Sequence, residues 1–364
     1  MKNHRVVLNR YGRLAPWRAE QMKLDNPTSR DIADAAGVSQ ATVSRALRNS
    51  PLVRPETRER IHKIARELNY FVNRNAAGLR THQSNTIALL LFEETSRDHS
   101  RVNPFFLSML GNITRAAANQ GYDVLVSFQE MDNDWHVQYP VSNRADGLIL
   151  LGYGDYVSYR EKLNALAGSN THFIIWGPIV RDQPGHSVGC DNESGGYQAT
   201  RHLAQLGRRR IALLGSVSRG SPELRMRYRG YARALRAAGL EEVPALRVDA
   251  ENDERLGYEG AKRLLAGGQP FDAVFAVTDL IAIGAMRAIH DHGLRVPDDI
   301  AVVGFDDIPV ASYVTPGLTT VQQNSQAASE LLVGNLVKLM RAEPVSSTLM
   351  PPKLIVRQSC GARS

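Results

Sequence analysis

Cysteine is almost missing from this 364-residue chain: Cys190 and Cys360 are the only two, far apart and in no CxxC pair. That excludes a disulfide framework and a cysteine zinc site, and fits a reducing compartment. Long apolar runs are missing too. The longest, Ile87 to Phe92, has the length of a strand, so no bilayer-spanning helix is expected. The opening residues, MKNHRVVLNRYGRLAPWR, are basic and never become an apolar stretch ending in a small-residue cleavage site. They do not read as a secretory signal, and a cytoplasmic protein is expected. Catalytic signatures are lacking as well, with no GxxxxGKS/T loop, no GxSxG elbow and no HExxH. His290 and His292, two apart, would point to different faces of a helix. No enzyme, metal site or cofactor is expected.

The composition is 43% hydrophobic and 22% charged, which suits two or three globular domains with real cores. The net charge of +7 is unevenly placed: through Arg80 there are 16 Lys and Arg against 7 Asp and Glu, and beyond it 28 against 30. A cationic first quarter joined to a near-neutral remainder is the distribution of a small nucleic-acid module on a larger domain, because each phosphate contacted needs a nearby cation.

Texture divides the chain. Residues 1–27 lack apolar periodicity and are expected to be a disordered basic extension. Residues 28–72 are helical in pattern throughout. Residues 73–84 form a hinge and linker. From 85 to 364 the pattern repeats apolar strand, turn and amphipathic helix, with strands expected at 87–92, 123–128, 146–151, 172–176, 211–214, 273–277 and 300–304. Near-continuous apolar segments such as IALLLF, GLILLG and IAVVGF imply parallel sheets covered on both faces. About 270 residues exceed one doubly wound domain, so two similar lobes with a cleft between them are expected. The fold class is therefore α/β, with an all-α headpiece.

In the headpiece, Thr28 is the N-cap of a first helix, with Asp31 completing a capping-box-like pair. Gly37 ends that helix. Ser39 caps a second helix over QATVSRALRN, so two helices are joined by the short AGVS turn, a helix-turn-helix. Val43 and Leu47 turn inward, which turns Gln40, Ala41, Ser44, Arg45 and Arg48 outward. An amide, a hydroxyl and a guanidinium on one face suit base edges in a major groove, with Gln40 and Arg45 the leading readers. Thr28, Thr42, Asn49, Arg58 and Lys63 are candidates for phosphate.

These residues carry a resemblance. TSRDIADAAGVSQATVSRALRN, followed by VRPETRERIHKIARELNYFVNRNAAGLRT, resembles the headpiece of the LacI/GalR (lactose-repressor/galactose-repressor) family of bacterial transcription regulators. The likeness continues through RMRYRGYARALRAAGL, AVFAVTDLIAIGAMRAIHDHGLRVPDDIAVVGFDDIP and LTTVQQN, leaving only residues 1 to about 26 outside it. It implies a two-lobed, periplasmic-binding-protein-like sensor after the headpiece, and a dimer on a near-palindromic operator of double-stranded DNA. It places the major-groove positions on Gln40, Ala41 and Arg45. It also implies a hinge helix over 73–80, capped by Asn73, with Leu79 wedging into the central base step and Arg80 meeting phosphate or groove floor. Val72 stands where a proline is usual, and Gly78 lies inside the hinge at a cost of roughly 1 kcal/mol relative to alanine.

Ligands of paired parallel-sheet lobes bind beyond the carboxyl ends of the strands. There lie Phe105 and Phe106, Trp176 beside Gly177, the CDNESGG segment, Thr278-Asp279 and Asp306-Asp307. Rings with carboxylates and amides suit a neutral polyhydroxylated ligand, whose C–H faces stack while its hydroxyls pair. The resemblance places effector contacts on Arg227, Asp279, Asp306 and Gln323. It departs at Gly177, where an aspartate is common, at Asn252, where an aromatic is common, and at Thr278, where asparagine is frequent. The expected function is a repressor of carbohydrate-utilisation genes released by a mono- or oligosaccharide. A purine or phosphorylated metabolite, acting as corepressor, is the alternative. A periplasmic sugar-binding protein shares the two-lobed architecture, but the helix-turn-helix argues against it.

Overall fold

The computed structural model describes residues 27–70, 84–92, 102–130, 133–142, 144–152, 156–217 and 221–362. The chain divides into two compact units, Met1–Thr81 and His82–Ser364. Among the described residues no helix is long and apolar enough to cross a membrane.

The first unit holds three helices among its described residues: α1 (Ser29–Ala36), α2 (Gln40–Leu47) and α3 (Pro55–Glu67). The expected local signals are all used. Thr28 and Asp31 form a reciprocal capping box at the start of α1, and Gly37 ends it in the left-handed conformation that glycine adopts without a Cβ penalty. Ser39 caps α2 by accepting from the Thr42 N–H at 3.2 Å. Ile32, Ala33 and Ala36 of α1 meet Val43 and Ala46 of α2 and Ile61 and Ala65 of α3 in a small core, with Val38 packed against its edge. Leu47 is only partly buried, and Ala46 takes the deeper position.

The second unit is two parallel-sheet lobes. Lobe 1 carries β1 (Thr86–Phe92), β2 (Asp123–Gln129), β3 (Gly147–Gly152), β4 (Phe173–Trp176) and β5 (His186–Cys190), with helices α4 (Pro104–Asn119), α5 (Trp135–Ser142) and α6 (Tyr156–Gly168). The chain then enters lobe 2 at α7 (Asn192–Gln205). There follow β6 (Ile211–Leu214), α8 (Pro222–Ala237), β7 (Arg247–Val248), α9 (Glu254–Ala266), β8 (Ala273–Ala276), α10 (Asp279–Asp291), β9 (Ala301–Asp306) and β10 (Thr319–Gln322). It returns to lobe 1 as α11 (Ser325–Met340), which packs on α4 and on β3 to β5, and as β11 (Thr348–Met350). It ends in lobe 2 as β12 (Lys353–Ile355).

The sheets repeat one plan: β2-β1-β3-β4-β5-β11 in lobe 1 and β7-β6-β8-β9-β10-β12 in lobe 2. Each is parallel except for β12, which runs antiparallel to β10. Central strands such as β1, β4, β8 and β9 are buried along almost their whole length, as parallel strands under helices on both faces must be. The chain passes between lobes three times, at Asp191, at Gln323-Asn324 and at Pro351-Pro352. Those crossovers put the carboxyl ends of both sheets on one interlobe cleft.

Several elements were not expected from the sequence. Strands β5, β7, β10, β11 and β12 are short and lack an apolar run, and α5 contains Pro140.

Candidate functional sites

On the headpiece, Gln40, Ala41, Arg45 and Arg48 are exposed along α2, while Ser44 and Thr42 are half-buried. Capping already occupies part of this set. The hydroxyls of Ser39 and Thr42 lie 2.9 Å apart, and the Thr28 hydroxyl donates to Asp31 at 2.7 Å. Those bonds, with burial raising it less than they lower it, hold the Asp31 carboxyl below its usual range. Arg48 donates through Nε to the Ser44 carbonyl at 3.2 Å, which lays it along the helix. Asn49 sits at φ +55°, and its Oδ1 faces His62 Nε2 at 3.2 Å, so the turn after α2 is tied to α3. Gln40 and Arg45 have no such tie and present their polar ends outward from a rigid helix. Asn73, Leu79 and Arg80 lie outside the described residues.

In the second unit a cleft of about 470 Å³ opens between the lobes. Lobe 1 supplies Phe105, Ser108 and Asn112 from the first turns of α4. Lobe 2 supplies Asp306 and Asp307 from the end of β9, and the crossover supplies Gln322, Gln323 and Asn324. Of the sequence candidates, Phe105, Asp306 and Gln323 therefore line the cavity together. Asn103 accepts the Phe105 N–H at 2.9 Å and sets the start of α4, so that Phe105 and Phe106 pack edge to face with centroids 5.6 Å apart. Trp176, at the end of β4, lies behind Phe105 at 5.8 Å and is buried. Phe106 and Trp176 thus brace the ring that lines the cavity and do not themselves line it.

Arg227, on α8, is fully buried one layer deeper. Its Nη1 donates to the Val277 carbonyl at 2.6 Å and lies 3.1 Å from Asp306 Oδ1; its Nε donates to Asn192 Oδ1 at 2.8 Å. The guanidinium also covers the Phe305 ring at 3.7 Å. Close crossing of α7 and α8 makes this possible: a Cβ on Gly196 would stand 2.1 Å from the Arg227 carbonyl oxygen, and one on Gly230 would stand 2.1 Å from that of Glu193. Asp306 Oδ1 receives a further bond from Gln323 Nε2 at 2.7 Å. Asp306 holds φ +115°, a conformation that costs an L-residue energy and persists only where its surroundings fix it. Burial pushes its carboxyl up to about 6, against the opposing pull of Arg227 and Gln323.

Asp279 is not among the residues lining this cavity. It is fully buried at the start of α10, accepts the Ile308 N–H at 2.9 Å and the Thr320 hydroxyl, and fastens α10 to the segments after β9 and within β10. Burial and the nearby charge of Asp306 hold its carboxyl well above the usual range. Asn252, half-buried before α9, does not line the cavity.

Sequence reasoning missed Ser108, Asn112, Gln322 and Asn324. The first two lie one and two helical turns beyond Phe105, a signal that helical spacing offered. Asp307 is held by Arg357 Nη2 at 2.7 Å and by Gln322 Nε2 at 2.8 Å, so the second member of the DD pair anchors the C-terminal segment. A second cavity, of about 490 Å³ between α10 and Val314-Thr315-Pro316, contains none of the candidate effector residues; its walls are largely apolar, with Arg287, His290 and Arg295 at the rim. No group of three metal-ligating side chains occurs among the described residues.

Comparison with known proteins follows the same division. Residues 28–73 match the profile of the bacterial regulatory proteins of the lacI family, and residues 200–360 match a periplasmic binding protein-like domain. The ribose operon repressor of Escherichia coli K12 is 30% identical over 313 residues, which cover 85% of this chain and 92% of that protein. Among solved structures, the lac repressor dimer bound to operator and the anti-inducer ONPF superposes with a TM-score of 0.80 at 28% identity, covering 93% of this chain and all of that one. The complex of the transcriptional regulator CelR with cellobiose superposes with a TM-score of 0.67 at 28% identity, covering 92% and 100%.

Proposed function

Because the chain belongs to the lacI family and is a DNA-binding transcriptional regulator rather than an enzyme, we propose that it is a cytoplasmic dimeric repressor whose hold on its operator is set by a saccharide bound between the two lobes. The observation that carries the effector reading is the composition of the cleft: a braced aromatic ring on one wall, and carboxylate and amide groups on the other. A sugar ring offers both an apolar C–H face for Phe105 and hydroxyls for Asp306, Gln323, Asn112 and Asn324.

On DNA, Gln40 and Arg45 read base edges from the outward face they share with Ser44, and Ala41 offers its methyl to a thymine methyl, while Thr28, Ser39, Thr42, Asn49, Arg58 and Lys63 position the headpiece on phosphates. Asn73, Leu79 and Arg80 form the hinge, with Leu79 as the wedge in the minor groove. One headpiece reads half a site, so a near-palindromic operator calls for two chains. Exposed apolar side chains on each lobe, Val126 and Phe128 on the edge strand β2 and Tyr313 and Val310 after β9, supply surface for that pairing. The sensor acts by linkage: a ligand that favours one arrangement of the lobes shifts operator affinity by the same coupling free energy with which the operator shifts ligand affinity.

The test is selection of genomic DNA fragments by the purified protein at about 150 mM salt. Enrichment of a near-palindrome, lost on Arg45→Ala, supports the reading. Genes for glycoside uptake or hydrolysis beside it would nominate the effector. Enrichment that depends on an added nucleobase instead would replace the saccharide with a purine corepressor.

A further inference from the structure

Asn192 occupies a singular place: it is the first residue of α7, immediately after the chain leaves lobe 1, and it is buried. Its two side-chain ends face opposite partners. The Oδ1 accepts from Arg227 Nε of lobe 2 at 2.8 Å, and the Nδ2 donates to the carbonyl oxygen of Cys190, the last residue of lobe 1 strand β5, at 3.0 Å. The next backbone N–H, that of Asp191, donates to the Met350 carbonyl at 2.9 Å, which binds the first crossover to the strand end that leads into the third. On the other side of Arg227, Asp306 Oδ1 takes both the guanidinium and the amide of Gln323, the residue of the second crossover. A buried hydrogen-bonded chain thus runs from Cys190 through Asn192, Arg227 and Asp306 to Gln323, linking the first crossover to the second, while the Asp191–Met350 bond ties the first to the third. All four side chains in it are 4% exposed or less.

Resting on the effector reading given above, we infer that Asn192 is a positioning residue that couples the cleft to the interlobe crossovers. It acts through Arg227 and does not line the cavity. A ligand hydroxyl that donates to either oxygen of Asp306 draws on the carboxylate whose Oδ1 Arg227 and Gln323 already share, and so weakens their hold on it. Any shift of the guanidinium must be answered at Asn192, whose amide can keep Arg227 Nε and the Cys190 carbonyl together in only one geometry. In a buried site a lost partner is not replaced by water, so the bridge has discrete made and broken states. The Gly196 and Gly230 contacts hold α7 rigidly against α8, so the movement is delivered to the crossover at Asp191 and not absorbed between the helices.

The experiment measures the lobes directly and needs no ligand. Spin labels on Arg115→Cys in lobe 1 and Arg236→Cys in lobe 2, both exposed positions, report the interlobe distance distribution in the full chain diluted with unlabelled protein; the native cysteines are buried. Asn192→Asp at pH 8 keeps the acceptor for Arg227 and removes the donor to Cys190, and Asn192→Ala removes both. Tyr231→Phe is the control, deleting an equally buried bond, from the Tyr231 hydroxyl to the Ile211 carbonyl at 2.7 Å, wholly inside lobe 2. The distribution should broaden or shift by about twofold in width for both Asn192 variants and stay at the wild-type width for Tyr231→Phe, even where all three lower the melting temperature. Equal widths in Asn192→Asp, Tyr231→Phe and wild type would overturn the inference. A second arm titrates D-ribose and cellobiose and follows operator affinity. If neither sugar binds wild type while the widths separate, neither is the effector and the bridge stands; where a sugar does bind, Asn192→Asp should retain its affinity and lose operator response by roughly tenfold. Unchanged response at unchanged affinity would also overturn the bridge.

Discussion

The two walls of the cleft are built from opposite chemistry. Lobe 1 faces it with Phe105, braced by Phe106 and Trp176, and with the small polar groups of Ser108 and Asn112. Lobe 2 faces it with carboxylates, each already engaged: Asp306 with Arg227 and Gln323, Asp307 with Arg357 and Gln322. An aromatic wall contributes area and a preference for one ligand face without moving. A wall of paired charges responds to a ligand, because a bond the ligand makes to a carboxylate there weakens that carboxylate's existing pairs. On the saccharide reading proposed above, recognition by shape belongs to lobe 1 and the conformational response to lobe 2.

That asymmetry can be broken from either side. The largest effect is expected at Arg227. Arg227→Met leaves Asp306 buried beside no cation, at a cost of about 3–5 kcal/mol in urea unfolding, and removes the response of operator binding to effector. Phe105→Ala should cost about 3 kcal/mol through lost burial and a cavity, and should weaken saccharide binding measured by calorimetry while leaving operator affinity without ligand near wild type. If its operator response vanished as completely as that of Arg227→Met, the assignment of response to lobe 2 would fail.

A smaller effect is the dependence on pH. Asp306, pushed up to about 6, binds its proton more tightly folded than unfolded. Its contribution is therefore fully present below about 4, the unfolded value, and is lost as pH rises to about 6, amounting to roughly 2–3 kcal/mol. Asp279, also raised, acts in the same direction. Stability followed across that window should fall with rising pH in wild type and fall less in Asp306→Asn. Smallest is the headpiece, where Ser39→Ala should cost about 1 kcal/mol in its stability, read by hydrogen exchange in α2, and leave the cleft untouched.

The headpiece was legible almost residue by residue because its determinants are local: Thr28 with Asp31, Gly37, Ser39, and the small inward residues at spacings of three and four. The apolar strands of the sensor were legible for the same reason, each being a continuous run. The short strands were not. β5, HSVGC, and β10, TTVQ, are held by their neighbours in the sheet and carry no periodicity of their own, while β11 and β12 are three residues each around a Pro-Pro step. The candidate site divided along the same line. Phe105 and Asp306 stand at ends of strong elements and could be named from sequence. The clustering of Asn192, Arg227 and Gln323 depends on three passages between lobes and on Gly196 meeting Gly230, contacts among segments more than thirty residues apart. No local pattern encodes them.

The central claim, that occupancy of this cleft sets the hold on DNA, is met most directly by one titration. Affinity for the selected operator fragment should be measured at fixed salt against a panel of neutral saccharides, nucleobases and sugar phosphates, for wild type and Arg227→Met. The account predicts that a neutral saccharide changes wild-type operator affinity by about tenfold or more and leaves Arg227→Met unresponsive. A response to nucleobases or phosphorylated compounds with every saccharide inert, or an equal response in Arg227→Met, would contradict it.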